Sequence, residues 1–164
     1  MKQILIVLNA TFLMLTASMY LGTGWSLWLF QFQSAPHMTI DNYYWTFVPQ
    51  VQAASVFFTW MTSLMIVSLI IMIWVEWKTD MRWIAILVLL SLLAATGFTV
   101  WYIFPYNDTM ESHITDPALL TATLDKWISL NRVRVILWTV EWAGMMWYFA
   151  KRAWQGLQAA PNQQ

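Results

Sequence analysis

The chain has 164 residues, of which 60% are hydrophobic and only 10% are charged. This composition indicates an integral membrane protein, because a globule of this size has too little interior to bury so many apolar side chains. Eight basic and eight acidic residues give no net charge, which excludes the basic surface that nucleic-acid binding requires. The lack of cysteine excludes disulfides, thiolate nucleophiles and iron–sulfur clusters.

Four segments of the sequence are long and apolar enough to cross a bilayer, which takes about 20 residues per helix. They are residues 4–30, 51–74, 83–104 and 133–150. We expect the first segment to be a retained anchor and not a cleaved signal peptide, because its apolar character continues to Phe30. The sequence therefore predicts an all-α transmembrane four-helix bundle. It forms one domain over residues 1–157, followed by a disordered polar tail at residues 158–164.

The basic residues are divided unequally between the two ends of the predicted bundle. Five lie on the side of the termini and three on the other side: Lys2, Lys78, Arg82, Lys151 and Arg152, against Lys126, Arg132 and Arg134. The positive-inside rule then predicts a multi-pass protein of the inner (cytoplasmic) membrane with both termini in the cytoplasm. The longer connections, residues 31–50 and 105–130, are expected to form an outward cap of loops and short helices.

The fourth segment carries most of the polar groups of the bundle on one face. Asp116 followed by Pro117 is typical of a helix start, with the aspartate as N-cap. Downstream, six residues fall within an arc of about 80° on a helical wheel: Trp127, Asn131, Arg134, Trp138, Glu141 and Met145.

Glu141 lies near the middle of the fourth segment, where an unpaired charge costs several kcal/mol. We therefore expect its side chain to face the interior of the bundle. Three interpretations remain open: a neutral acid, a base in a wet pocket, or a hydrogen-bonded residue that sets the register between helices. Candidate partners for its carboxyl group are Asn9, Thr62, Ser63 and Thr99.

The two histidines, His37 and His113, both fall on the outward connections. The acidic residues beside His113 could add metal ligands, but the spacing matches no strong motif, and two histidines cannot form a three-histidine zinc site. We predict neither a metal nor a cofactor. Phosphate-binding loops and nucleophile elbows are also missing from the sequence, which argues against ATP-driven work and hydrolysis.

Two short elements resemble the signature of a known family. Pro105 and Asn107 form a Pro-x-Asn element after the third segment, and Trp127, Asn131 and Arg134 form a Trp-x-x-x-Asn-x-x-Arg element at the fourth. The combination resembles the anthrone-oxygenase-like family of small four-span membrane proteins, many of which have His where this chain has Asn131. The resemblance implies an oxidoreductase that oxidises a flat, lipid-soluble anthrone or quinone-like substrate with dioxygen and without metal or flavin.

The resemblance also implies roles for the residues of the polar face. Arg134 would stabilise an enolate oxygen, Asn131 would orient the substrate, and Glu141 would act as the base. The remaining three site residues would bind the substrate: Asn107, Trp127 and Trp138.

Two other functional classes remain open at the level of sequence. The first is a non-catalytic accessory subunit or lipid-binding protein, in which Arg134 and Asn131 hold the cap to the fourth helix. The second is a small transporter. The cytoplasmic halves of the spans are rich in Leu, Ile and Val, however, and offer few polar groups for a path across the membrane. The expected partners are the lipid bilayer, a hydrophobic small molecule, and a membrane-protein partner or a second copy of the chain.

Overall fold

The computed structural model of the protein describes residues 2–159, with side chains described for residues 3–158. Within those residues the chain is helical almost throughout and has no β-strand, which confirms the predicted all-α fold. The long helices are α1 (Lys2–Ser26), α3 (Tyr43–Val75), α4 (Met81–Phe98) and α6 (Pro117–Ala159), and the short ones are α2 (Phe32–Ser34) and α5 (Phe104–Glu111).

The four long helices pack as a ring in which each helix contacts the next one along the chain. Helix α1 packs against α3, α3 against α4, α4 against α6, and α6 closes the ring against α1. Helices α3 and α6 are therefore diagonal to each other. This is the arrangement of an up-and-down four-helix bundle, in which the short turn at residues 76–80 makes α3 and α4 antiparallel neighbours.

Three stretches of the described chain are long and apolar enough to cross a membrane: Gln3–His37, Tyr43–Val75 and Met81–Glu111. Helix α6, which contains the predicted span of residues 133–150, is not among them by length and composition. This helix carries both Arg134 and Glu141, whose charged side chains lower its mean hydropathy.

The helices depart from the predicted spans at their ends. Helix α1 passes into a π-helical turn at Leu27–Gln31, and α4 passes into another at Thr99–Ile103. Helix α6 begins where the sequence predicts, because Asp116 Oδ1 accepts a hydrogen bond from the backbone N–H of Ala118 at 2.9 Å. Its last residue is Ala159, so the predicted disordered tail begins inside the helix, and residues 160–164 lie outside the described part of the chain.

Two apolar cores stabilise the molecule. The bundle core is built from residues such as Leu13, Met65 and Val88, which are fully buried between the long helices. The cap core packs around the N-terminal part of α6 and includes Phe47 and Met110. The residues predicted to form a cap thus pack into a compact unit on one end of the bundle.

An ion pair between the buried Glu76 and the exposed Arg152 connects the α3–α4 turn to the last part of α6. The side chain of Glu76 is only 1% exposed, and its carboxylate accepts hydrogen bonds from Arg152, from Tyr148 at 2.9 Å and from Thr79 at 2.7 Å. Three donors offset the cost of burying the carboxylate. The sequence analysis did not predict this cluster, because Tyr148 and Arg152 are far from Glu76 along the chain.

Gly144 allows α6 to approach α4 closely, and we predict that Gly144→Ala destabilises the bundle by about 1–3 kcal/mol. A Cβ atom at this position would lie 2.6 Å from Cγ2 of Val88, whose fully buried, β-branched side chain has no room to move. The thermal unfolding midpoint of the detergent-purified protein measures the effect. Gly156→Ala is the matched control, because no atom lies within 4 Å of the added methyl group. Equal midpoints for the two variants would contradict the packing described here.

Candidate functional site

A cavity of about 760 Å³ lies inside the ring of helices, between the cap and the bundle core. Its walls come from the second half of α1, the first half of α3, the end of α4 with its π-helical turn, and α6. Four of the six predicted site residues line it: Asn107, Trp127, Arg134 and Trp138. Asn131 and Glu141 do not.

The polar face of α6 points into the bundle, as its spacing predicts. Asn131, Glu141 and Met145 are fully buried, and Trp127 and Trp138 are nearly so. The side chain of Arg134 is partly accessible, because it reaches the cavity.

A chain of hydrogen bonds positions Arg134. The indole N–H of Trp127 donates to Asn107 Oδ1 at 2.9 Å, which ties α6 to the short helix α5. The Asn131 amide donates to the backbone carbonyl of Trp127 at 2.8 Å, and its Oδ1 accepts a hydrogen bond from the Arg134 guanidinium. Asn131 therefore holds the arginine from behind the cavity wall and does not itself reach the cavity.

The positive charge of Arg134 has no counter-ion among the side chains that the structure describes. Within residues 2–159 the ion pair is that of Arg152 with Glu76, and no carboxylate lies within salt-bridge distance of Arg134. Its Nε atom is buried and has no hydrogen-bond partner. The guanidinium carbon lies 4.6 Å from the ring centre of Trp138. This cation–π contact offsets part of the cost of burying the charge.

Three aromatic rings pack together on the cavity wall, next to the bundle core. Trp138 lies 4.7 Å from Tyr20, and Tyr20 stacks on Phe58 at 4.9 Å, measured between ring centres. The Tyr20 hydroxyl forms a hydrogen bond with Thr62 Oγ1. We call Tyr20, Phe58 and Trp138 the aromatic floor; all three line the cavity.

Gly24 makes room for the aromatic floor. A Cβ atom there would lie 3.0 Å from Trp138 Cε3 and 3.3 Å from Val135. The absence of a side chain thus lets α1 approach α6 at the level of the indole, which holds the ring against Tyr20.

Glu141 lies outside the cavity and its carboxyl group has no partner. Neither oxygen forms a hydrogen bond with any described residue, and the side chain is 0% exposed. The expected partners are used elsewhere: Asn9 donates to the Ser68 carbonyl at 3.0 Å, and Thr62 donates to that of Phe58 at 2.6 Å. The carboxyl group therefore reaches no substrate in the cavity in this arrangement.

The sequence analysis did not anticipate the hydroxyl groups that α3 and α4 contribute to the cavity. On α3 they belong to Ser55, Thr59, Thr62 and Ser63, which recur at helical spacing within an apolar segment. That spacing was the available signal. The sequence analysis names three of the lining hydroxyl groups, those of Thr62, Ser63 and Thr99, and only as partners of Glu141.

The histidines do not form part of this site. The imidazole of His113 stacks on Tyr44 with 3.6 Å between ring centres, on the cap. No group of three or more His, Asp or Glu side chains in the described residues is arranged to hold a metal ion.

No protein-family model matches the chain, and searches of curated proteins and of solved structures found no match. The chemistry of the site therefore rests on its own geometry. An apolar, aromatic cavity with a fixed cation suits a lipid-soluble molecule that carries a negatively charged oxygen.

We predict that Glu141→Leu stabilises the bundle, by about 1–3 kcal/mol, because it removes a buried polar group that has no partner. The thermal unfolding midpoint should rise. Asp125→Leu, at an exposed position of the same helix, is the control and should leave the midpoint nearly unchanged. A fall in the midpoint of Glu141→Leu would mean that the carboxyl group forms favourable contacts that this structure lacks.

Proposed function

We propose that the protein is a multi-pass membrane protein whose cavity binds a lipid-soluble molecule carrying flat rings and an ionised oxygen. The observation that carries this proposal is the guanidinium of Arg134, which lies at the wall of a cavity of about 760 Å³ and has no counter-ion within the described part of the chain. A partly buried charge of this kind costs several kcal/mol unless an opposite charge compensates it. A bound oxyanion would supply that compensation.

The rest of the lining supports the same class of ligand. The aromatic floor offers ring faces next to the guanidinium, and the nearby rings of Trp127 and Phe104 extend the aromatic surface. Flat rings stack favourably on such faces, at about 0.5–1.5 kcal/mol per pair beyond the burial of area. The volume is also that of a typical small-molecule site.

The second candidate is oxygenation of that ligand, of the kind that the family resemblance implies. In favour of it, Arg134 could hold the oxygen of an electron-rich enolate while the ring carbon reacts with dioxygen. The cavity wall within the described residues carries no Asp, Glu or His to remove the proton. The substrate would therefore have to be acidic enough to bind as its enolate, and Glu141 would not be the base.

We also propose that all four long helices span the membrane, with both termini on the cytoplasmic side. Helix α6 supports the fourth span by the side chains that it exposes: Ile136 and Trp147 are both 57% exposed, whereas Asn131 and Glu141 are buried. A helix with apolar residues outside and polar residues inside fits an apolar solvent.

The two rival classes receive less support. An accessory subunit in which Arg134 merely clamps the cap would not need a cavity at that residue. A transporter would need a polar path beyond the aromatic floor, where the bundle core is packed with residues such as Leu13, Met65 and Leu69.

The ligand proposal predicts that a small acidic molecule co-purifies with the protein and is lost in Arg134→Gln, which removes the charge. Solvent extraction and mass spectrometry of the detergent-purified protein measure the loss. Arg134→Lys should retain part of the ligand, and Arg132→Gln all of it, because Arg132 is exposed and lies over Trp28. Full retention by a folded Arg134→Gln protein would contradict the proposal.

The topology proposal can be tested with single cysteines, because the natural chain has none. Asp80 lies in the α3–α4 turn and Thr115 in the cap, and both are exposed. A membrane-impermeant maleimide added to intact spheroplasts should label Thr115→Cys at once and Asp80→Cys only after lysis. The reverse pattern would contradict the orientation, and equal labelling of both would contradict the separation of the two ends by a membrane.

A further inference from the structure

We infer that the ligand of this cavity also carries hydroxyl or amine hydrogen-bond donors, which bind a wall of acceptors on α3 and α4. This inference rests on the proposed function, because it concerns the other end of the molecule whose anionic oxygen contacts Arg134. We call six of the lining hydroxyl groups the acceptor wall: those of Ser55, Thr59, Thr62 and Ser63 of α3, with Thr96 and Thr99.

Each hydroxyl group of the acceptor wall donates its single hydrogen to the backbone carbonyl four residues earlier on its own helix. On α3 the oxygen–oxygen distances are 2.8 Å for Ser55, 2.7 Å for Thr59, 2.6 Å for Thr62 and 2.9 Å for Ser63. Thr96 and Thr99 form the same bond at 2.8 Å. A hydroxyl group has one hydrogen and two lone pairs, so these groups can only accept hydrogen bonds from the cavity.

One acceptor of the wall is already used in this way. Because the hydrogen of Thr62 goes to the Phe58 carbonyl, the hydroxyl of Tyr20 must be the donor in the Tyr20–Thr62 hydrogen bond. The phenol of Tyr20 thus illustrates the group that the wall accepts: a hydroxyl group on a flat ring. Ser55, Thr59 and Ser63 offer the same chemistry along α3.

The two sides of the cavity therefore differ in what they bind. Arg134 on α6 has only donors, and α3, which lies diagonally across the ring from α6, presents four hydroxyl acceptors next to the side-chain amide of Gln50. A ligand group that only accepts, such as an ether or a ketone, finds no hydrogen-bond donor among these six hydroxyls. The arrangement favours a two-ended molecule with an anionic oxygen near Arg134 and O–H or N–H groups along the acceptor wall, whereas the side-chain amides of Gln31 and Gln50 can donate to an accepting group elsewhere in the cavity.

A matched set of fluorescent probes tests this selectivity on the full-length protein in detergent. The probes are 6-hydroxy-2-naphthoate, 6-methoxy-2-naphthoate and 2-naphthoate, which share a ring system and a carboxylate. We expect the hydroxy compound to bind about three- to tenfold more tightly than the methoxy compound, as one hydrogen bond implies. Thr59→Val and Ser55→Ala, which delete acceptors, should each reduce that preference. Thr121→Val is the control, because its hydroxyl donates to the Pro117 carbonyl in the same way but lies outside the cavity.

Competition of 12-hydroxydodecanoate and dodecanoate with the bound naphthoate probes distinguishes two sources of the ligand, a lipid and a flat-ring acid. Stronger displacement by the hydroxylated fatty acid than by the naphthoates would assign the site to a hydroxylated lipid, and the reverse to a hydroxylated flat-ring acid. Equal affinity for the hydroxy and methoxy probes, or a preference that survives both α3 variants, would overturn the inference alone. Failure of all the probes to bind, or binding that Arg134→Gln leaves unchanged, would overturn the proposed function as well.

Discussion

The hydrogen bond between Arg134 and Asn131 holds a positive charge at the wall of the cavity, and the surrounding structure is arranged around it. Asn131 is fixed in turn by the backbone of Trp127, and Trp127 is bonded to Asn107 of α5. On the other side, the guanidinium lies over Trp138, which packs against Tyr20 of α1. One chain of contacts therefore links the cap, α6 and α1. A change in the charge of Arg134 would thus alter contacts in both the cap and the bundle.

The division of side chains between the inside and the outside of the ring follows from the same constraint. Polar groups that would be costly against lipid lie between the helices, while Ile136, Trp147 and similar residues face outward. Inside the ring, the hydroxyls of α3 satisfy their own hydrogens on helix carbonyls and still offer lone pairs to the cavity. This arrangement is compatible with a membrane environment and supports the proposed preference for a ligand that carries hydrogen-bond donors.

Sequence spacing predicted the bundle, the start of α6 and the inward polar face, because one helical period determines which residues share a face. It could not separate Arg134, which reaches the cavity, from Glu141, which does not. That difference depends on the packing of Trp138 against Tyr20 and Phe58 from two other helices. The burial of Glu76 was equally hidden, because its partners Tyr148 and Arg152 lie 72 and 76 residues away along the chain.

The most direct test of the account is a density map of the natural protein purified in lipid nanodiscs, with the region around Arg134 resolved. The account predicts non-protein density in the cavity, with an oxygen within hydrogen-bonding distance of the guanidinium and a flat part above the aromatic floor. A closed, tightly packed site, or an Arg134 side chain paired with a carboxylate of the protein itself, would contradict it.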